Sequence, residues 1–219
     1  MAFILNEEQK MLKDSANEFL AANAPVEQFR TLRDNNYEAF DANLWPAIVE
    51  MGWTALTIPE EYNGLDFGYV GLGQVLEEMG RNLTKAPLLS SIALGGTALV
   101  NSTNAGLKSS WIPEIMNGTK RLAFAIDEKN YFDPTAIETT AVTTAEGYII
   151  NGTKKMVIDG AGADAYVVVA KTDEGESALF LVDAASKGIT IQTDVLLDAG
   201  TYASLSFEQV NRSEEHTSE

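Results

Sequence analysis

Histidine and cysteine, which supply many catalytic nucleophiles, bases and metal ligands, are almost absent from this sequence of 219 residues. There is no cysteine, and the one histidine, His216, lies near the end of the sequence. A Ser-His-Asp triad, a Cys-His dyad and a His-rich zinc site are therefore excluded, and we predict no metal site. Any chemistry must use carboxylates, hydroxyls, lysine or a bound cofactor.

The adjacent carboxylates Glu77 and Glu78 are the most obvious pair of acidic side chains. They lie beside an apolar stripe with helical spacing, formed by Leu72, Val75, Leu76 and Met79. Charged residues next to such a stripe usually form the solvated face of a helix. We therefore interpret Glu77 and Glu78 as surface residues and not as an acid–base pair.

The charge of the chain limits its partners. It has 32 acidic and 15 basic residues, for a formal charge of −17. This excess repels phosphate backbones and anionic lipids, so we predict binding to neither nucleic acid nor membrane. No apolar run approaches the roughly 20 residues of a membrane span, and the N-terminus has no signal-peptide pattern. These features predict a cytoplasmic location.

The first part of the chain, to about residue 118, shows helical spacing of apolar residues. Asn6 and Gln9 have the spacing of a capping box, which marks the start of a helix. Further helices are predicted at about 39–51, along the stripe that ends at Gly80, at about 88–100 and at about 105–116.

After Lys120 the pattern changes to that of short strands. They are predicted at 121–127, 139–144, 147–150, 153–158, 165–171, 178–182, 190–193 and 203–207. The dipeptide Asn151-Gly152 predicts a type I′ hairpin turn between two of them. The fold class is therefore α+β, with an all-helical domain (1–118) followed by an antiparallel β-barrel or sandwich domain (119–211).

The last eight residues, 212–219, are wholly polar. Their sequence, RSEEHTSE, resembles the translation of a sequencing-adapter oligonucleotide. We interpret them as a non-native or disordered tail.

Several separated motifs, in order, resemble the acyl-CoA dehydrogenase family. They are MGWTALTIPEEYNGLDF, VLEEMGRNLTKAPLLSSIAL, WIPEIMNGTKRLAFAIDE, YIINGTKKMVIDGAGADAYVVVAKT and ALFLVDAASKGITI. The resemblance extends from about Leu5 to Asn211. It implies the N-terminal helical domain and the middle β-domain of a flavoprotein that uses FAD to oxidise an acyl-CoA thioester. The glutamate that acts as the catalytic base is usually carried by a C-terminal helical domain, so no residue here is assigned that role.

The resemblance also implies which residues would face the flavin. They are Phe124, Ile126, Asp127, Phe132, Met156 and Ile158. Ile126 or Asp127, depending on the register, replaces a family threonine, and Phe132 replaces a serine. Met156 replaces a tryptophan and Ile158 a hydroxyl residue. These losses of hydrogen bonds are expected to weaken FAD binding by several kcal/mol.

Two functions follow from the resemblance. The chain is either a fragment of an FAD-dependent acyl-CoA dehydrogenase or a flavin-deficient, non-catalytic partner subunit of a heteromeric one. In both cases the full-length protein is expected to form a homo- or hetero-oligomer and to meet an acyl-CoA substrate. A third alternative, an inactive binding module, stays open.

Overall fold

A computed structural model describes residues 4–35, 38–212 and 217–218 of the chain. His216 and most of the predicted tail lie outside these residues. The helices are α1 (Glu7–Asn23), α2 (Val26–Asp34), α3 (Trp45–Glu50), α4 (Gly68–Asn82), a π-helix (Leu89–Gly96) that continues into α5 (Thr97–Val100), and α6 (Ala105–Met116).

The predicted capping box of α1 is present. The side chain of Asn6 accepts from the backbone N–H of Gln9 at 2.7 Å, and the side chain of Gln9 accepts from the backbone N–H of Asn6 at 3.1 Å. Glu7 and Glu8 in the first turn complement the positive end of the helix dipole. These local contacts fix where α1 begins.

Three other helices differ from the prediction. Helix α2 was not predicted, and the helix predicted at 39–51 is limited to α3. Its start is delayed because the Asp41 carboxylate accepts from the backbone N–H groups of Asn43 and Leu44 in the preceding turn. The segment predicted as an ordinary helix at 88–100 begins as a π-helix, which apolar spacing alone does not distinguish from an α-helix.

The strands form one curled sheet within the described residues. They are β1 (Leu122–Ala125), β2 (Thr140–Thr144), β3 (Gly147–Ile158), β4 (Ala165–Lys171), β5 (Ser177–Asp183), β6 (Ile189–Val195), β7 (Thr201–Arg212) and β8 (Thr217–Ser218). Their order is β6-β7-β3-β2-β4-β5-β8, and β1 pairs with β4.

The sheet is mixed, so the prediction of an antiparallel domain was wrong in this respect. Strand β1 runs parallel to β4, with Leu122 opposite Ala165 and Ala125 opposite Val168. The reason is the path of the chain. The β2–β3 hairpin and the short turn at Gly160–Gly162 return the chain to the starting end of β1, so β4 must run in the direction of β1.

The prediction of a hairpin turn at Asn151-Gly152 was also wrong. Both residues lie inside the continuous strand β3, and the two-residue turn between β2 and β3 is formed by residues 145–146. At the position where the turn was predicted, strand β3 forms a β-bulge in its pairing with β7. The Asn151 side chain accepts from the backbone and side chain of Gln209, and Gly152 has a φ of +146°. Long-range pairing with β7 therefore overrides the local turn signal.

Two faces of the sheet are buried in different ways. On the inner face, the side chains of the curled sheet pack against one another and form a core that includes Tyr166, Phe180 and Phe207. The outer face of β1, β4 and β5 packs against α5 and α6 of the helical lobe (residues 4–118). The β-lobe (residues 119–212) is thus attached to the helices through one side of its sheet. The boundary predicted at 118/119 falls between α6 and β1.

The prediction that Glu78 lies on a solvated helix face was wrong, because its side chain is only 2% exposed. It accepts from Asn17 at 2.8 Å and pairs with Arg81 at 3.2 Å. Glu77 is exposed, as predicted. The start of the predicted tail, Arg212, is paired with Tyr148 in the sheet, and Thr217–Ser218 pair with β5. Sequencing of the gene without adapter read-through would test whether 212–219 are native.

Candidate functional site

Polar contacts hold the junction of the two lobes, where α6 leads into β1. The Trp45 indole N–H donates to the Gly118 carbonyl at 2.9 Å, and the backbone N–H of Leu122 donates to the Ser91 hydroxyl at 2.8 Å. Arg121 forms a bidentate ion pair with Asp164, and its guanidinium lies 4.6 Å from the centre of the Phe40 ring. These contacts fix the position of the sheet relative to the helices.

A cleft of about 370 Å³ opens between the helices and the outer face of the sheet; we call it the helix-side cleft. Its lining residues are Ala93, Leu94, Thr97, Ala98, Asn101, Phe124 and Leu179. The π-helix forms part of one wall, and a π-helix often marks a functional site. The volume and the apolar floor are typical of sites that bind small organic molecules.

A second cleft, of about 640 Å³, lies against the other end of the sheet; we call it the strand-side cleft. It is lined by Asn130, Lys155, Met156, Gln192, Asp194, Leu196 and Ser204. A second bulge in β3 shapes it, because Lys155 and Met156 together lie opposite one residue of β7 and Met156 has a φ of +54°. The Asp194 carboxylate accepts hydrogen bonds from the side chains of Gln192 and Ser204.

The six residues predicted to face a flavin lie in different parts of the β-lobe. Phe124 lines the helix-side cleft and Met156 the strand-side cleft. Phe132 is 72% exposed on the loop after β1. The other three, Ile126, Asp127 and Ile158, are partly buried and line neither cleft. Ile158 pairs with Tyr202 in the sheet. The structure therefore does not bring the six side chains into one pocket.

A buried ion pair beside Asp127 was not predicted from the sequence. Lys154 is fully buried, and its ammonium donates to Glu128 at 2.7 Å and to the Ile126 carbonyl at 3.0 Å. Glu128 also accepts from the backbone N–H groups of Glu138 and Thr139. The pair thus closes the base of the loop between β1 and β2. A lysine at an inward position of an apolar strand was the available signal.

Burial and charge shift both pKa values in this pair. Burial lowers the pKa of Lys154, although Glu128 and Asp127 oppose that shift. Burial alone would raise the pKa of Glu128, but the hydrogen bonds from Lys154 and Thr139 outweigh it, so the pKa is lowered. One oxygen of Asp127, Oδ1, is buried without a hydrogen-bond partner.

A second polar contact between the lobes joins the π-helix to the turn after β3. The Ser90 hydroxyl donates to Asp159 at 2.7 Å. Burial raises the pKa of Asp159 to about 6, although the Ser90 hydrogen bond and the nearby Lys85 lower it. Asp159 is therefore a carboxyl group with a raised pKa at the junction of the two lobes.

Comparison with known protein families decides the relationship. The model of the acyl-CoA dehydrogenase N-terminal domain matches residues 6–119, and that of the middle domain matches residues 123–210. The chain belongs to the acyl-CoA dehydrogenase family. The resemblance found in the sequence motifs is thereby confirmed, and the two matched segments coincide with the helical lobe and the β-lobe.

Individual relatives agree with this assignment. The chain is 32% identical to acyl-CoA dehydrogenase FadE27 of Mycobacterium tuberculosis over 72% of its length, and 30% identical to the mitochondrial isovaleryl-CoA dehydrogenase of Arabidopsis thaliana over 86%. These alignments cover 41% and 45% of the two relatives. The chain therefore spans less than half the length of these curated relatives.

Solved structures share the fold. The ChsE4-ChsE5 complex from Mycobacterium tuberculosis superposes with a TM-score of 0.88 and 28% identity, covering 99% of this chain and 58% of that one. An acyl-CoA dehydrogenase from Bacillus anthracis, complexed with FAD, has a TM-score of 0.86 at 22% identity and covers 98% of this chain and 37% of that one. The second likeness concerns the fold alone.

The six predicted residues do not fit a flavin as its hydrogen-bond partners. The carbonyl oxygens of a flavin ring accept hydrogen bonds, so they require N–H or O–H donors. Phenylalanine, isoleucine and methionine side chains donate none, and an ionised aspartate only accepts. These side chains therefore offer the flavin carbonyls no donor, and only the Asp127 carboxylate could make a polar contact with the ring, as an acceptor.

No helix among residues 4–35, 38–212 and 217–218 has the length and apolar character needed to cross a membrane. In the same part of the chain, no group of three or more acidic or histidine side chains is arranged to hold a metal ion.

Proposed function

We propose that this chain is the helical and β part of an acyl-CoA dehydrogenase that introduces a double bond into an acyl-CoA thioester. The observation that carries the proposal is the helix-side cleft, in a chain matched by both family models. The cleft is apolar, of small-molecule size, and lies between the two lobes. The acyl group would bind there, and the catalytic base would come from a domain that neither family model covers.

One observation favours a second candidate function, that of a non-catalytic partner subunit. The six side chains expected to face a flavin offer it no hydrogen-bond donor. Loss of several such bonds lowers affinity by orders of magnitude, because each is worth about 0.5–1.5 kcal/mol. The ChsE4-ChsE5 structure is of a complex of two differently named proteins. A heteromeric assembly of the same kind would let a partner chain hold the flavin.

Flavin content separates the two candidates. The chain would be purified after expression alone and after co-expression with a homologue from the same organism, and its absorbance measured in the flavin bands. A yellow protein after expression alone supports the catalytic fragment. A colourless protein that gains flavin only with the homologue supports the partner subunit. Absence of flavin and of acyl-CoA binding under both conditions would contradict both and favour the inactive binding module.

A pair of substitutions sharpens this experiment. Ile126→Thr and Ile158→Thr together would restore two hydroxyl donors, and we expect tighter flavin binding if these residues face the ring. Ile4→Thr is the matched control, because Ile4 is 81% exposed and lies outside the sheet, before α1. Flavin affinity is measured by quenching of flavin fluorescence. An equal effect of the control and the double variant would contradict the assignment of Ile126 and Ile158.

Two predictions on the whole protein accompany the proposal. The expected homo- or hetero-oligomer would be detected by light scattering of the purified protein with and without its homologue. The cytoplasmic location expected from the sequence would be tested by fractionation of the cells that express the natural gene.

A further inference from the structure

A row of polar groups lies along one side of the helix-side cleft, although its floor is apolar. Ala93, Leu94, Ala98, Phe124 and Leu179 give the apolar surface. On one side, Thr97 and Asn101 also line the cleft. The Tyr69 hydroxyl lies 2.7 Å from the Thr97 hydroxyl and so extends this polar row.

The direction of each hydrogen bond in the row follows from its neighbours. The Thr97 hydroxyl lies 2.6 Å from the Ala93 carbonyl, which can only accept, so Thr97 uses its one hydrogen there. The Tyr69 hydroxyl must then donate to Thr97. The Tyr69 oxygen retains lone pairs that can accept from a ligand.

Asn101 is restricted in a similar way. Its side-chain nitrogen donates to the Thr97 carbonyl at 2.8 Å. This bond assigns the nitrogen and oxygen of the carboxamide, because the reverse orientation would place two acceptors against each other. The Oδ1 atom has no hydrogen and can only accept. Tyr69 and Asn101, both exposed, therefore each offer an acceptor to a ligand, and the second N–H of the Asn101 carboxamide is available as a donor.

We propose that the helix-side cleft takes an acyl group that carries a hydroxyl on its apolar chain. The apolar floor covers the chain, and the hydroxyl donates its one hydrogen to Asn101 Oδ1 or to the Tyr69 hydroxyl oxygen. This inference rests on the proposed acyl-CoA function and adds the substrate class. A plain acyl group would fill the same floor but leave the acceptors at the rim to water.

The extra hydrogen bond sets the size of the effect. One neutral bond is expected to give the hydroxylated ligand about two- to tenfold tighter binding. The probes are S-hexanoyl-pantetheine and its analogues with one hydroxyl at successive carbons of the acyl chain. Their dissociation constants are measured by calorimetry with the 219-residue chain, and backbone NMR shifts of Leu94, Ala98 and Leu179 report binding in the cleft.

Two substitutions test the residues. Asn101→Leu and Tyr69→Phe should each reduce the preference for the hydroxylated thioester, and together they should abolish it. Asn23→Leu is the matched control, because Asn23 is also exposed and also donates to the carbonyl four residues earlier. It should leave the preference unchanged.

The outcomes separate this inference from the proposed function. Equal affinity for plain and hydroxylated thioesters, with shifts at the cleft residues, would overturn the hydroxyl inference and leave the acyl function standing. A preference that survives the double variant would also overturn it. If no thioester moves the cleft resonances, the proposed acyl function falls as well.

Discussion

Ion pairs in the two lobes differ in how much water reaches them. In the helical lobe, Glu77 is 45% exposed and its partner Arg81 59%. In the β-lobe, Lys154 and Glu128 are 0% and 7% exposed. Arg121 and Asp164, at the junction of the lobes, are 24% and 25% exposed. Water screens the first pair, so the comparison predicts that sensitivity to substitution rises with burial.

The largest effect is expected from Lys154→Met. It leaves Glu128 buried without its cation, and breaking a buried pair in this way costs about 3–5 kcal/mol. The free energy of unfolding would be measured by urea denaturation. Lys155→Met is the matched control, because Lys155 is the exposed neighbour on the same strand. A Lys154→Met variant as stable as this control would contradict the burial of the pair.

A double variant sharpens the same point. Lys154→Met combined with Glu128→Met removes both charges, so no buried carboxylate stays unpaired. We expect the double variant to recover part of the loss, as replacement of a buried pair by apolar residues often does. A loss equal to the sum of the single losses would show that Glu128 stabilises the protein mainly through Glu138 and Thr139.

The next largest effect is expected from Asp159→Asn. In contrast to Lys154→Met, this substitution should raise the free energy of unfolding at pH 7. Because the pKa of Asp159 is raised from 3.8 to about 6, the native state binds a proton more tightly than the unfolded state. The stability that this proton provides is complete below about pH 4 and is lost as pH rises through 6. Asparagine keeps an acceptor for Ser90 and tolerates the φ of +55°. We expect a gain at pH 7 of at most about 3 kcal/mol.

The pH profile is the decisive measurement for Asp159→Asn. Between pH 4 and 7, the decline in stability contributed by Asp159 should disappear in the variant. Asp66→Asn is the matched control, because Asp66 is exposed and also has a positive φ, of +45°. An unchanged slope in the Asp159 variant would show that the pKa of this carboxyl is the same in the native and the unfolded state.

Arg121→Met is expected to give an intermediate loss, of about 1–2 kcal/mol. It removes a half-screened bidentate pair with Asp164 and the contact with Phe40. Thermal unfolding measures the loss, and Arg30→Met, at an arginine that is 60% exposed, is the control. A loss as large as that of Lys154→Met would break the proposed dependence on burial.

The smallest effect is expected from Glu77→Gln, which should not measurably change the urea midpoint. Its two partners, Lys13 and Arg81, keep their contacts with Glu78 and with water. Glu78→Gln, on the same helix, is the informative comparison because Glu78 is buried. A larger loss for Glu77→Gln than for Glu78→Gln would reverse the relation between burial and sensitivity within one helix.

Local signals predicted the elements well where the contacts that form them are close in sequence. The capping box at Asn6 and Gln9 and the extent of α6 were both predicted. The turn at Asn151-Gly152 was not, because the pairing of β3 with β7 joins residues almost 60 positions apart and outweighs the preference of two residues. For the same reason, the parallel pairing of β1 with β4 was not predicted.

The candidate site was predicted less well than the fold. Phe124 and Met156 do line clefts, but these are two different clefts. The Lys154–Glu128 pair and the Ser90–Asp159 contact join residues 26 and 69 positions apart. No spacing rule brings such residues together, although a lysine in an apolar strand is a sign that a buried partner exists.

By itself, the sequence determined the order of a helical lobe and a β-lobe, the absence of cysteine chemistry, and the side chains without donors at the positions expected to face a flavin. These are properties of residue types and short periods. The tertiary structure alone decided that the sheet is mixed, which carboxylates are buried and which polar atoms line the helix-side cleft. Each of these depends on segments distant in the sequence that meet only when the sheet curls and packs against the helices.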